Sequence, residues 1–279
     1  MKKNILITGA SGFIGNHVLN DCLENNFNVY AIFRSSRKNV NFVRKYKKKI
    51  YPIFYKNINQ IKGKLTNYKI DYIIHCATYY IKKHVHNDIE NIIKSNVLFS
   101  TVLLDVAVNI KIKKFINLGT VWQHFNDTEN LAFNLYAASK QSFECILNYY
   151  KNQYTKIKFY NVLLTDTFGT NDKRKKLIPI LVKNFQNNSQ NKINIPKNLS
   201  INLVNINEVT KCLNILLKNN FKSNNYVIKS NQDIKIFDLI NFLNDNLENK
   251  IRIYWLKNIK NYKIIKFKNL LKKKNNINK

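Results

Sequence analysis

The chain has 279 residues, enough for one large core and a smaller appended lobe. It carries 47 Lys and Arg against 16 Asp and Glu, a formal net charge of +31, yet only five of the 47 are Arg, the residue suited to bidentate phosphate recognition. With abundant Asn and Ile, this favours solvated lysine faces, as AT-rich coding sequences produce, over a dedicated nucleic-acid surface. We find no run of 18 apolar residues and no metal-type spacing of the four Cys. We therefore expect a cytoplasmic protein with reduced thiols, no leader segment, no membrane span and no metal.

The first predicted strand, at about residues 4–8, runs into a glycine-rich turn. Three of the six glycines stand there, before a segment with helical apolar spacing at about 13–25. A strand, a glycine turn and a helix N-terminus make an anion site, because free N–H groups and the helix dipole face the phosphates. The motif therefore predicts a dinucleotide site. Its members are Gly9, Ser11, Gly12, Phe13, Ile14 and Gly15.

The second predicted strand, at about 28–33, ends without the carboxylate that usually accepts the ribose 2′-hydroxyl of NAD. Arg34 stands there instead, followed by Ser35 and Arg37. A cation suits a 2′-phosphate, so we predict NADP(H) in preference to NAD(H). The alternative is that these Arg side chains are merely solvated in a loop.

Strand-like and helix-like segments continue to alternate, which predicts an α/β fold with a doubly wound parallel sheet. Further strands are predicted at about 51–55, 71–76, 114–119 and 158–164, and further helices at about 88–109, 135–151 and 174–187. The alternation is lost after about residue 165. We therefore predict a dinucleotide-binding domain over 1–165 and a small mixed α/β substrate lobe over 166–279, ending in a Lys- and Asn-rich tail.

Beyond the predicted strand at 114–119 lie Thr120, Tyr136 and Lys140. On a helix, Tyr136 and Lys140 share one face, and an ammonium beside a phenol lowers the pKa of the phenol. Such a tyrosine exchanges a proton with a substrate oxygen near neutral pH. Taken alone, a Tyr-x-x-x-Lys pair is better explained as a surface pair in a chain with 16 Tyr. Gly119 and Gly169 also follow strands, at the edge where an open α/β sheet binds its ligand.

Taken in order, the glycine turn, Asp71-Tyr72-Ile73-Ile74-His75-Cys76-Ala77, Thr120, Tyr136 and Lys140 resemble the extended short-chain dehydrogenase/reductase superfamily from residue 1 to about 180. The resemblance implies a Rossmann domain with Ala77 beside the cofactor. It implies Thr120 as the hydroxyl that holds the substrate oxygen, Tyr136 as acid/base, and Lys140 as ribose clamp and pKa modifier. Asn96 falls where the superfamily often has an Asn that supports the active site.

Within the superfamily the chain is similar to the nucleotide-sugar-modifying branch of the NAD-dependent epimerase/dehydratase family, and there to reductases of the CDP-abequose and CDP-paratose synthase type. The segments 77–80, 119–124 and 165–176 carry this likeness. It implies NAD(P)H-dependent reduction of a nucleotide-diphosphate-linked 4-keto-6-deoxyhexose in polysaccharide sugar biosynthesis. The alternatives are an NAD-retaining epimerase or dehydratase, and, from another class, a non-catalytic dinucleotide- or RNA-binding protein.

Other side chains near the predicted crevice leave two interpretations each. Three aromatic side chains either stack on a sugar or base or pack internally: Tyr79, Tyr80 and Trp122. Arg174 and Lys175 either hold a substrate diphosphate or start an exposed helix. The histidines 84, 86 and 124 are interpreted as loop residues rather than metal ligands. The helices at 88–109 and 135–151 carry more apolar surface than one sheet face needs. Because superfamily relatives commonly pair these two helices, a homodimer is predicted.

Overall fold

The computed structural model describes residues 2–128, 131–186, 194–246, 254–256, 263 and 268–270. Its strands are β1 (Asn4–Thr8), β2 (Asn28–Arg34), β3 (Tyr51–Tyr55), β4 (Tyr72–His75), β5 (Lys114–Thr120), β6 (Lys158–Leu164), β7 (Asp166–Phe168), β8 (Asn194–Pro196), β9 (Ser200–Ile201), β10 (Leu203–Asn205), β11 (Asn224–Ile228), β12 (Ile234–Lys235), β13 (Tyr254–Leu256) and β14 (Lys268–Asn269). Its α-helices are α1 (Phe13–Glu24), α2 (Arg37–Arg44), α3 (Gln60–Leu65), α4 (Ile89–Ile93), α5 (Phe99–Asn109), α6 (Leu135–Gln153), α7 (Leu177–Gln186), α8 (Ile206–Lys218) and α9 (Ile236–Asn246).

Eight strands form one parallel sheet in the order β14-β11-β6-β5-β4-β1-β2-β3. The doubly wound α/β fold is confirmed, and all six strands predicted in the first half of the chain are present. β11 and β14 were not predicted, and they extend the sheet beyond β6. The chain therefore returns to the main sheet after α8. The domain boundary at residue 165 stays a prediction.

Helices cover both faces of the sheet. Along β1 the side chains alternate: Ile5 and Ile7 lie in the core that also holds residues of α1 and α8, and Leu6 lies in the core shared with α3, α5 and α6. All three side chains are fully buried. A parallel sheet covered on both faces requires such continuous apolar strands, which is why these segments were readable from the sequence.

The helix predicted at 88–109 is not uniformly α-helical. A 3₁₀ turn at His86–Asp88 leads into α4, a π-helical turn at Lys94–Leu98 follows, and α5 completes the segment. By length and apolar composition alone, His86–Asn109 would suffice to cross a membrane, but half of its most apolar window is buried within the protein. This is the burial of a core helix, and it packs against α6.

Outside the main sheet, β7 pairs with β10, β9 with β12, and β8 with β13. A small separate core lies under α7 and α9 and includes Leu181, Ile201, Ile236 and Ile240. The predicted helix at 174–187 begins later, at Leu177. The residues before it form the loop that carries Arg174 toward the glycine turn, as described below.

Candidate active site

The glycine turn packs so tightly that two of its members cannot carry a side chain. Gly9 has φ +66°, and a Cβ there would lie 2.7 Å from the backbone nitrogen of Ala77. A Cβ on Gly15 would clash with the Gly9 carbonyl group, lying 2.7 Å from its carbon and closer still to its oxygen. Gly12 donates its N–H to the Gly9 carbonyl at 2.9 Å and caps α1 without a side-chain hydrogen bond. This cradle of close backbone at a helix N-terminus fits a dinucleotide diphosphate.

The ends of β1 and β4 are held together by Thr8. Its hydroxyl oxygen accepts the N–H groups of Cys76 at 3.1 Å and Ala77 at 3.0 Å, and lies 2.8 Å from Nδ1 of His75. Nε2 of His75 lies 2.8 Å from the Ser100 hydroxyl. Burial holds the pKa of His75 well below its ordinary value, so the ring is neutral. His75 therefore has a structural role: it fixes the strand end that carries Ala77.

Arg34 is exposed at the end of β2 and is linked to the glycine turn through Asn39. The Asn39 side-chain amide donates to the Arg34 carbonyl at 2.7 Å and accepts the Ser11 hydroxyl at 3.1 Å. Ser36 caps α2 by accepting the N–H of Asn39. Arg34, two hydroxyls and an amide therefore lie at the end of β2, where the adenosine ribose of a dinucleotide belongs in this fold.

Asn96 connects the loop after β4 to the helix that carries Tyr136. It is fully buried in the π-helical turn, and its carbonyl oxygen accepts the Thr78 hydroxyl at 3.0 Å and the Tyr79 N–H at 2.7 Å. Its amide donates to the Tyr79 carbonyl and, at 2.9 Å, to the Ser139 hydroxyl. π-helical turns occur frequently at functional sites. Asn96 lies in this one and ties the loop after β4 to α6.

Tyr136 lies in the first turn of α6, partly exposed, and packs edge-on against Tyr80 with ring centroids 4.9 Å apart. Burial raises the pKa of Tyr136 to about 12, although hydrogen bonding with Thr78 and the positive charge of Arg174 oppose the shift. The sequence predicted a lowered pKa caused by Lys140, and this prediction is wrong for this structure. The positive charge of Arg174 acts on the phenol, while that of Lys140 acts on His75 and Cys76.

Lys140 is buried, 1 % exposed, and its ammonium interacts electrostatically with Cys76 and His75 at the end of β4. Burial lowers the pKa of Lys140 to about 8. Among the described residues, its amino group makes no hydrogen bond to protein. A buried amine beside the glycine turn and the β4 end is placed to hold a polar ligand group such as a ribose hydroxyl.

Thr120 ends β5 and is buried. Its hydroxyl accepts the Trp122 N–H at 3.4 Å, and its own N–H donates to the side chain of Gln123 at 2.8 Å. Trp122 lies in an aromatic cluster, with its ring centroid 4.8 Å from that of Phe133 and 6.1 Å from that of Phe125. Thr120, Ala77 and the glycine turn lie at the same edge of the sheet, because they follow neighbouring parallel strands.

The other two candidate substrate residues, Tyr79 and Arg174, differ in their hydrogen-bond partners. The Tyr79 hydroxyl donates to Asp88 at 3.1 Å. The Arg174 guanidinium forms a bidentate pair with Asp172, donates to the Thr167 carbonyl at 2.7 Å, and lies 4.1 Å from the centre of the Phe13 ring. Arg174 therefore ties the loop after β7 to the first turn of α1.

Sequence reasoning missed several side chains that build the site: Thr78, Asn39, Gln123 and Glu144. Thr78 and Gln123 lie in segments that the resemblance had already singled out, so their position was a usable signal. Glu144 gave no such signal, because its partners Gln123 and Asn225 are distant in sequence. Of the histidines interpreted as loop residues, His84 and His86 are exposed, whereas His124 is buried and lies 3.0 Å from Glu144.

The chain matches the model of the "NAD dependent epimerase/dehydratase family" over residues 5–228. A CDP-abequose synthase of Salmonella muenchen is 27% identical over 252 residues, covering 86% of this chain and 80% of that protein. A dTDP-D-glucose 4,6-dehydratase of Dictyostelium discoideum is 27% identical over 267 residues, covering 85% of this chain and 60% of that protein.

Solved structures share the fold at low identity. UDP-glucuronic acid 4-epimerase from Bacillus cereus, in complex with UDP-glucuronic acid and NAD, superposes with a TM-score of 0.81 at 19% identity, covering 96% of this chain and 91% of that one. The dTDP-glucose 4,6-dehydratase from Bacillus anthracis, in complex with NAD, gives a TM-score of 0.79 at 17% identity, covering 99% of this chain and 91% of that one.

Proposed function

We propose, from the premise that this chain belongs to the NAD-dependent epimerase/dehydratase family, that it reduces the 4-keto group of a nucleotide-diphosphate-linked 6-deoxyhexose. The chain is an enzyme of the short-chain dehydrogenase/reductase type. The observation that carries the proposal is the placement of Thr120, Tyr136 and Lys140 at the sheet edge where the glycine turn opens. The likeness to CDP-abequose synthases supports the choice of substrate class.

The proposed chemistry assigns one task to each side chain. NADPH, when bound, supplies a hydride for the sugar C4. Tyr136 gives its phenolic proton to the C4 oxygen, which becomes the hydroxyl of the product. Thr120 orients that oxygen by hydrogen bonding, and Lys140 holds the cofactor ribose. General acid catalysis of this kind contributes about 10²- to 10⁴-fold to the rate.

The protonation state of Tyr136 is compatible with the proposed step. A phenol with a pKa of about 12 is protonated at neutral pH, so it holds the proton that the C4 oxygen receives.

The second candidate is an NAD-retaining epimerase or dehydratase, which the solved neighbours with bound NAD support. Arg34 favours the first candidate, since a guanidinium at the end of β2 suits a 2′-phosphate, and NADP(H) is the proposed cofactor. Reductases must exchange their cofactor after each turnover, whereas epimerases recycle it in place.

We also propose that the enzyme is a homodimer. Ile93 is 42% exposed and Leu98 is 47% exposed on the segment that runs from α4 into α5, and Tyr149 is 61% exposed on the neighbouring α6. The Glu90–Lys94 ion pair partly neutralises this face in a chain of net charge +31. An apolar surface of low charge is the composition that supports self-association.

The test is incubation of the purified enzyme with NADPH and a panel of CDP-, dTDP- and GDP-linked 4-keto-6-deoxyhexoses, following absorbance loss of the cofactor and sugar products by mass spectrometry. Reduction of at least one sugar is expected, with the CDP-linked member tried first. If NADPH binds and no sugar on the panel is reduced, the reductase proposal fails. Tightly bound NAD released on denaturation, with epimerised or dehydrated product, would establish the second candidate.

A further inference from the structure

A buried carboxylate on the catalytic helix is tied to the end of β5. Glu144 is 4% exposed and lies two helical turns after Tyr136 and one turn after Lys140. Its Oε2 accepts the side-chain N–H of Gln123 at 2.6 Å and lies 3.0 Å from Nε2 of His124. Its Oε1 accepts the side-chain N–H of Asn225 on β11. Three donors from two other elements therefore meet on this carboxylate.

Gln123 passes this connection on to Thr120. Its side chain is fully buried, and its carbonyl oxygen accepts the backbone N–H of Thr120 at 2.8 Å. The absence of a side chain at residue 119 makes this possible, because a Cβ on Gly119 would lie 2.6 Å from the same Gln123 oxygen. Glu144, Gln123 and the Thr120 backbone thus form one continuous hydrogen-bonded chain, which we call the Glu144–Thr120 link.

We propose that Glu144 is a positioning residue that sets the distance between the Tyr136 phenol and the Thr120 hydroxyl. The helix α6 carries Tyr136 and β5 carries Thr120, so the two groups belong to different elements. The Glu144–Thr120 link joins these elements within the buried layer below the site. The inference rests on the proposed roles of Thr120 and Tyr136, since their spacing matters only if both act on one substrate oxygen.

The Glu144–Thr120 link can be tested by exchanging the carboxylate at 144 and the amide at 123. Glu144→Gln alone leaves one amide oxygen for the three donors, so its N–H₂ faces either Gln123 and His124 or Asn225, and the link breaks in the first arrangement. Gln123→Glu alone places two carboxylates against each other. In the double variant, the new carboxylate at 123 accepts both the Thr120 N–H and the amide N–H of residue 144. The link is then restored with its direction reversed, and the amide oxygen at 144 still accepts from Asn225.

Two readouts test the link, and the first needs no substrate. Hydrogen exchange of a peptide covering residues 119–124 should accelerate in Glu144→Gln and return to the wild-type rate in the double variant. Turnover, with whichever sugar the wild type reduces and NADPH, should fall about 10- to 100-fold in Glu144→Gln, as for a misplacement of reacting groups by about 1 Å. The KM and the NADPH affinity should stay within a few-fold, and turnover should recover in the double variant.

Asn225→Ser is the matched control. It removes one donor from Glu144 but leaves the Glu144–Thr120 link intact, so turnover should be kept even if thermal stability falls. Should Glu144→Gln fail to fold, Gln123→Met breaks the link at its other end while Glu144 keeps His124 and Asn225.

The inference is overturned if exchange and turnover are unchanged in Gln123→Met, because a methionine side chain can neither donate to Glu144 nor accept from the Thr120 N–H. It is also overturned if the double variant recovers neither, or if Asn225→Ser loses as much turnover as Glu144→Gln. A wild type that reduces no sugar on the panel removes the proposed function, and the exchange experiment still decides the link.

Discussion

Two buried lysines differ in what surrounds their ammonium groups. Lys114 is 5% exposed, and its amino group donates to the carbonyls of Leu216, Leu217 and Asn219 at 2.7 to 3.0 Å, where it caps the end of α8. Lys140 is equally buried, but among the described residues it makes no such bonds. Burial of a charge without compensation costs free energy of folding, and such costs persist where function requires the group. The contrast supports the proposed role of Lys140 in holding the cofactor ribose.

Lys140→Met should stabilise the apo-protein and abolish turnover. Because burial lowers the Lys140 pKa from 10.5 to about 8, the unfolded chain binds more protons between these values. The free energy of unfolding of the wild type therefore gains a contribution as pH rises from 8 to 10.5, of about 3 kcal/mol at most. The variant should be more stable at pH 7, with the difference shrinking above pH 8. Denaturant unfolding across this pH range measures it.

Lys114→Met is the matched control for that experiment, and the opposite sign is expected. The variant leaves three carbonyls at the end of α8 without their donor, which costs about 1–3 kcal/mol for each buried group left unpaired. If Lys140→Met were as destabilising as Lys114→Met, the placement of Lys140 as an uncompensated functional charge would be wrong.

Tyr136→Phe removes one oxygen and leaves the ring packed against Tyr80. We expect turnover to fall by about 10²- to 10⁴-fold, because the proton donor is lost. NADPH affinity should change by no more than a few-fold, since the glycine turn is untouched. Steady-state kinetics and fluorescence titration of NADPH measure the two effects. Near-normal turnover would contradict the catalytic assignment and move the search for the donor to Tyr80.

Arg34→Ala should remove the preference for NADPH over NADH. The Arg34 side chain is exposed, and its carbonyl, which accepts from Asn39, is unchanged by the substitution. The fold should therefore be unaffected, and only the affinity for the 2′-phosphate should fall. Titration of both cofactors into both proteins decides this, and an unchanged affinity ratio would contradict the NADP(H) proposal.

At the scale of elements, Gly15 of the glycine turn and Gly63 of α3 differ in the space available for a side chain. Gly15→Ala places a Cβ against the Gly9 backbone, which has no room to give, so NADPH binding should be lost. Gly63→Ala lies in α3 with nothing within 4 Å, and it should stabilise the protein by about 0.5–1 kcal/mol with normal NADPH binding. Calorimetric titration and thermal melts compare them. Retained NADPH affinity in Gly15→Ala would contradict the assignment of the turn.

The sequence identified elements whose signal is local. β1, the glycine turn and α1 could be predicted because an apolar run, three glycines and helical spacing follow one another directly. The π-helical turn at Lys94–Leu98 could not, since its apolar spacing is close to that of an α-helix. Nor could the pairing of β11 with β6, because Asn224 and Asn225 open that strand and the partner lies about 60 residues away.

The same division holds for the candidate site. Tyr136 and Lys140 were read as an i, i+4 pair, and the resemblance implied their roles and that of Thr120, which stay predictions. The pKa of Tyr136 was predicted in the wrong direction, because burial and the approach of Arg174 from a distant loop are tertiary effects. The Glu144–Thr120 link likewise depends on contacts that exist only after β5 and α6 have packed.

At the scale of the whole molecule, the remaining prediction concerns assembly. The face formed by Ile93, Leu98 and Tyr149 should be buried in a dimer, so light scattering at micromolar concentration should give twice the 33.0 kDa of one chain. Leu98→Glu should give the mass of one chain, because a carboxylate buried at the interface has no compensating partner. Phe242→Glu is the control: Phe242 is 63% exposed on α9, which is not one of the helices of the proposed interface, and the dimer should persist. A monomeric wild type, or a dimer that survives Leu98→Glu and Ile93→Glu together, would contradict the proposed interface. Since Asn96 and Tyr136 lie on the same pair of helices, turnover measured in the monomeric variant would also report how far the interface supports the active site.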